Sequence, residues 1–566
     1  MNYRWSLSDP DPDDLQNLCR SLHISPLVGG MLIRRGFRDP TEASSFLNPS
    51  LEDMHDPNLM QDMEVVVQRL FRARSLKEKV FIYGDYDVDG ITSTVILKRA
   101  LEMLGLEVGY HIPRRLEEGY GLKAHVVEQA HQSGYSLIIT TDSGIRAFEV
   151  CQVARELGVD LVVTDHHSPD TTLPEAYAII NPRRSDCNYP DKSLAAVGVV
   201  FKLVQALFEE LGWSSRMPHF LKLVAIGTIA DLVPLLGENR IFTKFGLDGL
   251  SKPINLGLRT LLRSSGVTGS VSTSDIGFKI APRINAVTRM GGGEELVDLF
   301  SIQDQMEVNR LVEDMHTKNV DRRKTEQVIL EEIERRFEVA PKEFEGNFLI
   351  VTGEGWHRGV IGIIASRLVE KFYRPTLVIS IDQAQCQASG RSIRGFNLLD
   401  ALTHCRDLLD RFGGHEQAVG CSMPESVLQE LGARLRDYAE QTIPEEALIP
   451  ILPIETEVSI NEIGEELLNQ VEKLEPFGKG NPMPIFLSRD VPLRAAPYVI
   501  KKSHLKLLVG PSQSPFEAIW WRHAEIASQI CQGSRLDIAY RLGWNSYRGV
   551  KKIQLTIEDL RIGENL

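Results

Sequence analysis

The sequence predicts an α/β protein: a parallel, doubly wound sheet, joined by a long helix to a smaller α/β domain and followed by a small C-terminal β-barrel. Three observations carry that reading. From about residue 78 to 235, apolar runs with an acidic or polar end alternate with helical periodicity, as strands and crossover helices do in a parallel sheet. Residues 294–340 contain no Gly or Pro, so a helix of about 35 residues, spanning roughly 50 Å, fits there. Beyond about residue 450, short apolar segments separated by turn residues read as barrel strands.

Residues 1–50 read as a helical lead-in. Val80-Phe81-Ile82-Tyr83 is the short apolar run of a buried strand, and residues 91–101 have helical spacing. Between them lies Gly84-Asp85-Tyr86-Asp87-Val88-Asp89-Gly90, at the carboxyl end of the strand, where open α/β sheets keep their sites. In an extended loop alternate side chains point the same way, so Asp85, Asp87 and Asp89 can converge. Taken alone, this loop is equally a solvated acidic turn. Three further apolar runs decide against that. Residues 137–141 end in Asp142, 161–164 end in Asp165-His166-His167, and 224–230, read as another strand, end in Asp231. Four segments delivering Asp or His to one sheet edge is not a pattern of solvated turns. Convergent carboxylates repel one another unless a cation lies between them.

A second α/β unit is expected over about 345–445. Its first strand, 349–351, runs into a glycine-rich loop, 353–359, and a helix from about Ile361. Such a loop can cradle phosphate oxygens on backbone N–H groups, although a tight structural turn fits as well. Ser389-Gly390-Arg391-Ser392 and Gly413-Gly414-His415 read as two more small-residue turns with polar tips. In the barrel, Lys501, Lys502, His504, Lys506, Trp521, Arg522, Trp544, Tyr547, Arg548, Lys551 and Lys552 interleave cations with aromatic rings. Single-strand binders use that mixture, rings for base stacking and cations for phosphates. The competing reading puts the tryptophans in the core and the lysines on strand edges as protection.

Length and composition bound the rest. A chain of 566 residues holds about three or four domains by the usual prior. No apolar run reaches membrane length, and the acidic N-terminus lacks the pattern of a signal peptide. Seven cysteines without a C-x-x-C pair argue for a reducing cytoplasm and against zinc sites or a disulfide framework. The net charge of −14 argues against a surface coated in basic residues, but local patches and metals can still hold nucleic acid. There is no G-x-x-x-x-G-K-[ST] and hence no sign of a nucleotide-driven motor.

Asp85, Asp87, Asp89, Asp142, His166 and Asp231 are ligands enough for two octahedral Mn²⁺ or Mg²⁺ ions, with water and a bridging carboxylate completing the shells. Two such ions about 3.5–4 Å apart clamp the attacking and leaving oxygens of a phosphoryl transfer. His167, beside a ligand, can polarise the phosphoryl oxygen or protonate the leaving group. A rival lies in Asp87-Val88-Asp89-Gly90, which resembles the D-x-D-G of haloacid-dehalogenase-type phosphatases, where the first Asp attacks phosphorus. In those the Asp directly follows the strand, whereas here Gly84-Asp85-Tyr86 intervene and the expected Thr is displaced to Thr92. The two histidines would also have no role, and this reading is rejected.

Together, Gly84 to Gly90, Thr141-Asp142-Ser143-Gly144, Asp165-His166-His167 and Gly227-Thr228-Ile229-Ala230-Asp231 resemble the DHH phosphoesterase superfamily. Ser389 to Ser392 and Gly413-Gly414-His415 look like its DHH-associated domain. Gly119-Tyr120-Gly121, Ala281-Pro282-Arg283-Ile284-Asn285-Ala286 and Leu474-Glu475-Pro476-Phe477-Gly478 narrow the resemblance to RecJ-type single-stranded-DNA-specific exonucleases. The resemblance implies a DHH catalytic domain over 51–300, a connecting helix over 301–340, a DHH-associated domain over 341–445 and an OB-type barrel over 446–566. It implies 5′→3′ hydrolysis of single-stranded DNA to 5′-mononucleotides, with Mn²⁺ or Mg²⁺, in recombination and repair.

By the same resemblance Asp142 is the bridging ligand and His167 lies beside the scissile phosphate. Arg115, Arg283, Ser389 and Arg391 form the pocket for the 5′ phosphate, with Arg289 the alternative to Arg283. Tyr120 packs against the terminal bases, and His415 belongs to the substrate-binding set. The implied partners are single-stranded DNA with a 5′ end, a single-strand-binding protein and a helicase, with no membrane and a monomeric chain. Asp85 stands where many relatives have His. Two other readings remain: a DHH phosphoesterase for short oligonucleotides or cyclic dinucleotides, and a non-catalytic single-strand-binding scaffold. The barrel and long helix speak against the first, and the intact set of mutually repelling carboxylates against the second.

Overall fold

The computed structural model describes residues 3–119, 121–253, 255–547 and 550–563. Tyr120 and Arg548, both singled out above, lie outside these. The chain divides into two compact units, one of His55–Val233 and Phe245–Pro450, the other of Tyr3–Met54, Pro234–Lys244 and Ile451–Leu566. The first strand of the chain, β1 (Arg4–Leu7), belongs to the second unit.

The first unit opens with a five-stranded parallel sheet of β2 (Lys79–Tyr83), β3 (Glu107–His111), β4 (Tyr135–Thr141), β5 (Asp160–Thr164) and β6 (Ala178–Ile180). Their order is β3-β2-β4-β5-β6. The chain steps outward from β2 to β3 and then crosses back to β4, so the order reverses between β2 and β4. At such a reversal the loops leave in opposite directions and a crevice opens at the carboxyl ends of the strands. The strands are continuous apolar runs, with Val80, Ile82, Ile138, Ile139, Val162 and Val163 fully buried, because helices cover both faces. Helices Ala124–Gln132 and Phe148–Glu156 pack on one face with Tyr83, Ile138 and Leu161, and Val88–Met103 and Ala196–Glu210 pack on the other.

Residues 224–230 form a helix, not the strand expected from sequence: Leu221–Ala230 is helical and ends on Asp231. A Cβ added to Gly227 would lie 2.4 Å from Thr92 Oγ1 and 2.8 Å from Val197 Cγ1. The helix is thus pressed between Val88–Met103 and Ala196–Glu210. With most of its surface buried it has no amphipathic period, and a short unbroken apolar run cannot be told from a strand.

The long helix is Gln305–Val339, 35 residues capped by the Asp304 side chain. Its first half places Val308, Leu311, Val312 and Met315 in a core with Ile284, Val287 and Leu296. Its second half places Ile329 and Ile333 in a core with Trp356, Val360, Ile361 and Ile364. One helix therefore links the two halves of the unit. The second half is the five-stranded sheet of β7 (Leu349–Glu354), β8 (Thr376–Asp382), β9 (Gln385–Arg391), β10 (Arg411–His415) and β11 (Ala418–Pro424), in the order β10-β11-β9-β8-β7. The segments carrying Ser389-Gly390-Arg391 and Gly413-Gly414-His415 are strands β9 and β10, where turns were expected. Gly390 is required by close packing in the sheet: its Cβ would lie 2.8 Å from both Leu398 Cδ2 and Val419 Cγ2.

In the second unit β1 pairs in parallel with β12 (Ile451–Ile454). The main sheet holds β13 (Thr456–Glu457), β14 (Phe486–Pro492), β15 (Tyr498–Ile500), β16 (His504–Val509), β17 (Phe516–Trp520), β18 (Arg535–Tyr547) and β19 (Val550–Ile562). They run β13-β14-β18-β19-β17-β16-β15, and a Leu493–Val509 bridge brings the end of β14 back to β16. The N-terminal helices are part of this unit. Leu18, Val28, Met31, Leu32 and Phe46 share one core with Leu505, Leu507, Ile538 and Tyr540. Arg240 is buried among them; its Nε donates to Phe46 O at 2.7 Å and its Nη2 to Glu475 O at 2.8 Å. No described helix is long and apolar enough to cross a membrane, and all seven cysteines are free.

Candidate metal centre and anion pocket

The loop after β2 is shaped by two glycines. A Cβ on Gly84 would lie 2.4 Å from Thr94 Oγ1, and one on Gly90 would lie 2.7 Å from both Asp85 Cβ and Asp85 O. The loop is thereby folded onto the first turn of Val88–Met103, and Asp87 caps that helix by accepting from Asp89 N and Gly90 N. Asp142, just past β4, has left-handed backbone (φ 63°) and donates its N–H to Thr164 O at 3.1 Å. That conformation is uncommon for a residue with a Cβ, and such strain gathers at functional sites.

Three groups result, and within each the ligand atoms lie within 4.8 Å of one another: Asp85–Asp87–Asp142, Asp142–His166–His167 and Asp89–His166–Asp231. Asp142 belongs to two groups and so does His166, so the groups form one continuous constellation. His166 Nε2 is 3.2 Å from Asp142 Oδ1, and His166 Nδ1 is 3.7 Å from Asp231 Oδ2. All six ligands expected from sequence are brought together. They come from both sides of the sheet's reversal point, β2 and β4, with β5 and the end of the Leu221–Ala230 helix added.

Burial, then the negative field of Asp87, pushes Asp85 well above the usual carboxylate range. The same causes, with Asp89, Asp85 and Asp231 added, raise Asp142. Asp89 is pushed up to about 7 by burial and then Asp87, against the opposing N–H groups of Val197 and Ala196, which it accepts at 2.9 and 2.7 Å. Burial and the neighbouring His167 bring His166 down to about 3, so it is a neutral imidazole. Its Nδ1 lies 3.1 Å from Leu194 O; a proton there leaves Nε2 as a ligand nitrogen. Asp85 Oδ1, Asp142 Oδ1 and His166 Nε2 are buried without hydrogen-bond partners. Oxygen and imidazole donors that are buried, convergent and unsatisfied fit divalent Mn or Mg.

Asp165 was seen in sequence as part of a motif but given no role. It is fully buried. Its Oδ1 accepts from His166 N, His167 N and His167 Nδ1 at 2.7, 3.0 and 2.8 Å, and its Oδ2 from Ile145 N at 3.0 Å. Burial alone would raise its pKa, but these bonds, led by that of His167, take it down to about 2. Burial would likewise lower His167, yet its bond to Asp165 and the fields of Asp165, Asp87 and Asp85 outweigh that and raise it. Asp165 thus holds the His167 ring by Nδ1, and that side chain remains 45% exposed.

The arginines gather separately. Arg115 follows β3 and stacks its guanidinium 4.8 Å from the Tyr86 ring centroid. Arg289 ends the helix Ala281–Arg289 and donates Nη1–H to Gly359 O at 2.8 Å. Arg391 Nη1 donates to Gly390 O at 2.7 Å and to Ser389 Oγ at 3.3 Å. Burial, then the fields of Arg115, Arg322 and Arg391, lowers Arg289 to about 9. Arg289, and not Arg283, therefore lies within the fields of Arg115 and Arg391. Arg283 bonds Lys279 O at 2.5 Å, and the cation acting on it is Arg323. The two arginines are six positions apart and so point to different sides of a helix with about 3.6 residues per turn. His415 ends the exposed edge strand β10, where its Nδ1 accepts from Gln417 N at 3.2 Å.

In the barrel, Trp520 is buried and stacked on His523 at 4.2 Å. Trp521 is 53% and Tyr498 66% exposed. His504 meets Trp521 edge-on at 4.9 Å and accepts from Arg522 N. Lys506 is spent on Glu517 at 2.8 Å.

A parallel sheet with an Asp/His constellation at its reversal point, a second sheet bearing arginine and a C-terminal barrel together define a three-module DHH protein. The family models agree: "DHH family, N-terminal domain" matches residues 79–228, "DHHA1 domain" 345–441 and "RecJ OB domain" 454–559. The chain is 38% identical over 565 residues to the single-stranded-DNA-specific exonuclease RecJ of Bacillus subtilis, covering 99% of this chain and 71% of that one. It is 34% identical to the RecJ of Dickeya dadantii, covering 97% and 96%. The structure of RecJ in complex with Mn²⁺ from Thermus thermophilus superposes with a TM-score of 0.85 at 28% identity, covering 100% of this chain and 80% of that one. The chain belongs to the RecJ family of single-stranded-DNA-specific exonucleases.

Proposed function

We propose that the protein is a metal-dependent exonuclease that degrades single-stranded DNA from its 5′ end, releasing 5′-mononucleotides in recombination and repair. The observation that carries this reading is the pairing, in one compact unit, of the overlapping Asp/His groups with a separate arginine pocket. Asp85, Asp87, Asp89, Asp142, His166 and Asp231 would hold the metal, with Asp142 common to two of their three groups. Two Mn²⁺ or Mg²⁺ ions, when bound, supply a hydroxide at neutral pH and neutralise charge on the phosphoryl oxygens.

Arg115, Arg289, Arg391 and Ser389 grip the terminal phosphate, for which the planar guanidinium fork is suited. His167, fixed through Nδ1 by Asp165, presents Nε2 to the phosphoryl oxygen or the departing 3′ oxygen. Water adds to phosphorus, the P–O3′ bond breaks, and the shortened strand leaves with a new 5′ phosphate that the same pocket can take. In the barrel, Trp521, Tyr498, Lys501, Lys502 and Arg522 suit single-strand stacking and phosphate contact. The modules are read as catalytic 51–300, connecting helix 301–340, DHH-associated 341–445 and barrel 446–566. On the family resemblance, the protein works as a cytoplasmic monomer with a single-strand-binding protein and a helicase.

The test offers the purified chain, with Mn²⁺, 5′- and 3′-labelled single strands, duplex and dinucleotides. Labelled mononucleotide released first from the 5′ end of single strands is expected. Release from the 3′ end, or a preference for dinucleotides, would overturn the reading.

A further inference from the structure

The long helix carries a buried polar network that the reaction above leaves without a role. Arg322 Nη1 donates to Glu326 Oε2 at 3.1 Å and Nη2 to Asn319 Oδ1 at 2.9 Å. The other oxygen of Glu326 accepts from Arg367 Nε at 3.3 Å, on the helix Arg358–Phe372. Asn319 and Glu326 are buried, and the Arg322 side chain is only 12% exposed. Two acceptors therefore fix the guanidinium plane, yet Arg322 Nε is buried with no acceptor among the described residues. A buried N–H left so costs its full desolvation, and each such group needs an explanation.

The neighbourhood supplies one. Helix Ala281–Arg289 packs along the long helix, and the long helix packs along Arg358–Phe372. The last carries Gly362, where an added Cβ would lie 2.9 Å from Ser389 Oγ and 3.2 Å from Arg391 Nη2. Arg322 is thus on the helix between the segments that carry the pocket, and its charge is among those that depress Arg289. Arg115, Arg289, Arg322 and Arg391 come from four separate segments. The carboxylate that pairs with any of them among the described residues is Glu326, itself shared with Arg367. Guanidiniums so gathered repel one another unless a multiply charged anion lies between them.

We propose that Arg322 is a fourth guanidinium of the terminal-phosphate pocket, and that Glu326, braced by Arg367, is the positioning residue that aims it. The proposal rests on the 5′-phosphate reading of that pocket. The long helix then does more than connect: it completes the pocket with a side chain held by Asn319 and Glu326 of that helix, Glu326 in turn braced by Arg367. Four cations select a 5′-phosphate dianion over a 5′-hydroxyl end.

The test compares KM for one single strand carrying either a 5′ phosphate or a 5′ hydroxyl, with Mn²⁺. In Arg322→Gln the KM for the phosphorylated strand rises about tenfold, the KM ratio between the two ends shrinks by a similar factor, and the salt slope of KM falls by about one. Glu326→Gln shifts the same ratio by about threefold. Arg322→Lys, the more conservative change should the first variant fail to fold, keeps the charge but not the fork or Nε–H and gives an intermediate ratio. A wild-type ratio in the folded Arg322 variants, with only the melting temperature changed, would overturn the proposal and leave Arg322 a structural residue. A wild-type chain that digests from the 3′ end would instead remove the pocket reading itself.

Discussion

The Arg115 guanidinium lies 4.8 Å from the centroid of the Tyr86 ring, and Tyr86 is the residue between Asp85 and Asp87. One stacked pair therefore ties the proposed anion pocket to the proposed metal centre. If the pocket holds a terminal phosphate and the metal centre the next one, this contact helps set the distance from strand end to cut. Losing the ring in Tyr86→Ala removes about 1 kcal/mol of cation–π attraction. KM for a 5′-phosphorylated single strand should rise about fivefold, and gel resolution of labelled products should show dinucleotides beside mononucleotides. A variant with unchanged KM and mononucleotides alone would mean that Arg115 is held by other contacts.

Asp142 is shared by two of the three Asp/His groups, so its loss should weaken both groups as metal sites. Asp142→Asn keeps the volume and removes the charge that the two groups share. Hydrolysis should fall by about 10³ or more, while single-strand affinity, measured by fluorescence anisotropy, stays close to wild type. The same centre should govern stability. Ions that bind only the folded chain stabilise it by about 2.7 kcal/mol at a hundredfold excess over Kd. Chelator-treated wild-type protein should therefore melt at higher temperature on addition of Mn²⁺, and Asp142→Asn should show a much smaller rise. Equal rises in both would remove Asp142 from the metal site.

Asp165 binds His167 Nδ1 at 2.8 Å and stands outside the three groups. Its effect on catalysis should pass through that ring, as a positioned acid or base contributes about 10²–10⁴ in rate. Asp165→Asn should lower kcat by about 10² with KM and the Mn²⁺-induced thermal shift largely retained. A lost thermal shift with unchanged kcat would reassign Asp165 to holding the metal ligands.

Much of this site could be read from the residues, since a strand's end is visible where an apolar run stops. Asp85, Asp87, Asp89, Asp142 and His166 stand just beyond such ends, and the structure groups them. Asp231 was found for a partly wrong reason: its helix is so enclosed, with Gly227 against Thr92 and Val197, that it reads as a strand. Arg283 and Arg289 lie in one short motif, and only the helix phase in three dimensions separates their surroundings. Arg322 lies in the charged stretch 319–324, which by sequence reads as a solvated face, with contact to a substrate backbone as the alternative; the burial of Asn319 and Glu326 shows that the stretch is not simply solvated. The partnership of β1 with β12 pairs residues more than 440 positions apart, as in Arg4 opposite Ile451, and no local pattern announces it.

That last pairing changes how the barrel can be tested. Removal of residues 451–566 would strip the partner from β1 and uncover Leu18, Val28, Met31, Leu32 and Phe46, which share the barrel's core. Burying each such side chain contributes about 1.5–3 kcal/mol. The truncated chain should therefore aggregate or melt with an added low-temperature transition, and its activity would say little about strand binding. Trp521→Ala is the cleaner probe, because that ring is half exposed while the preceding Trp520 is in the core. Base stacking contributes about 1–3 kcal/mol per ring. Affinity for a long single strand should fall at least fivefold, with little change for a strand too short to reach the barrel and no change in melting temperature. Equal losses on long and short strands would place Trp521 in the structure of the barrel rather than on the path of the DNA.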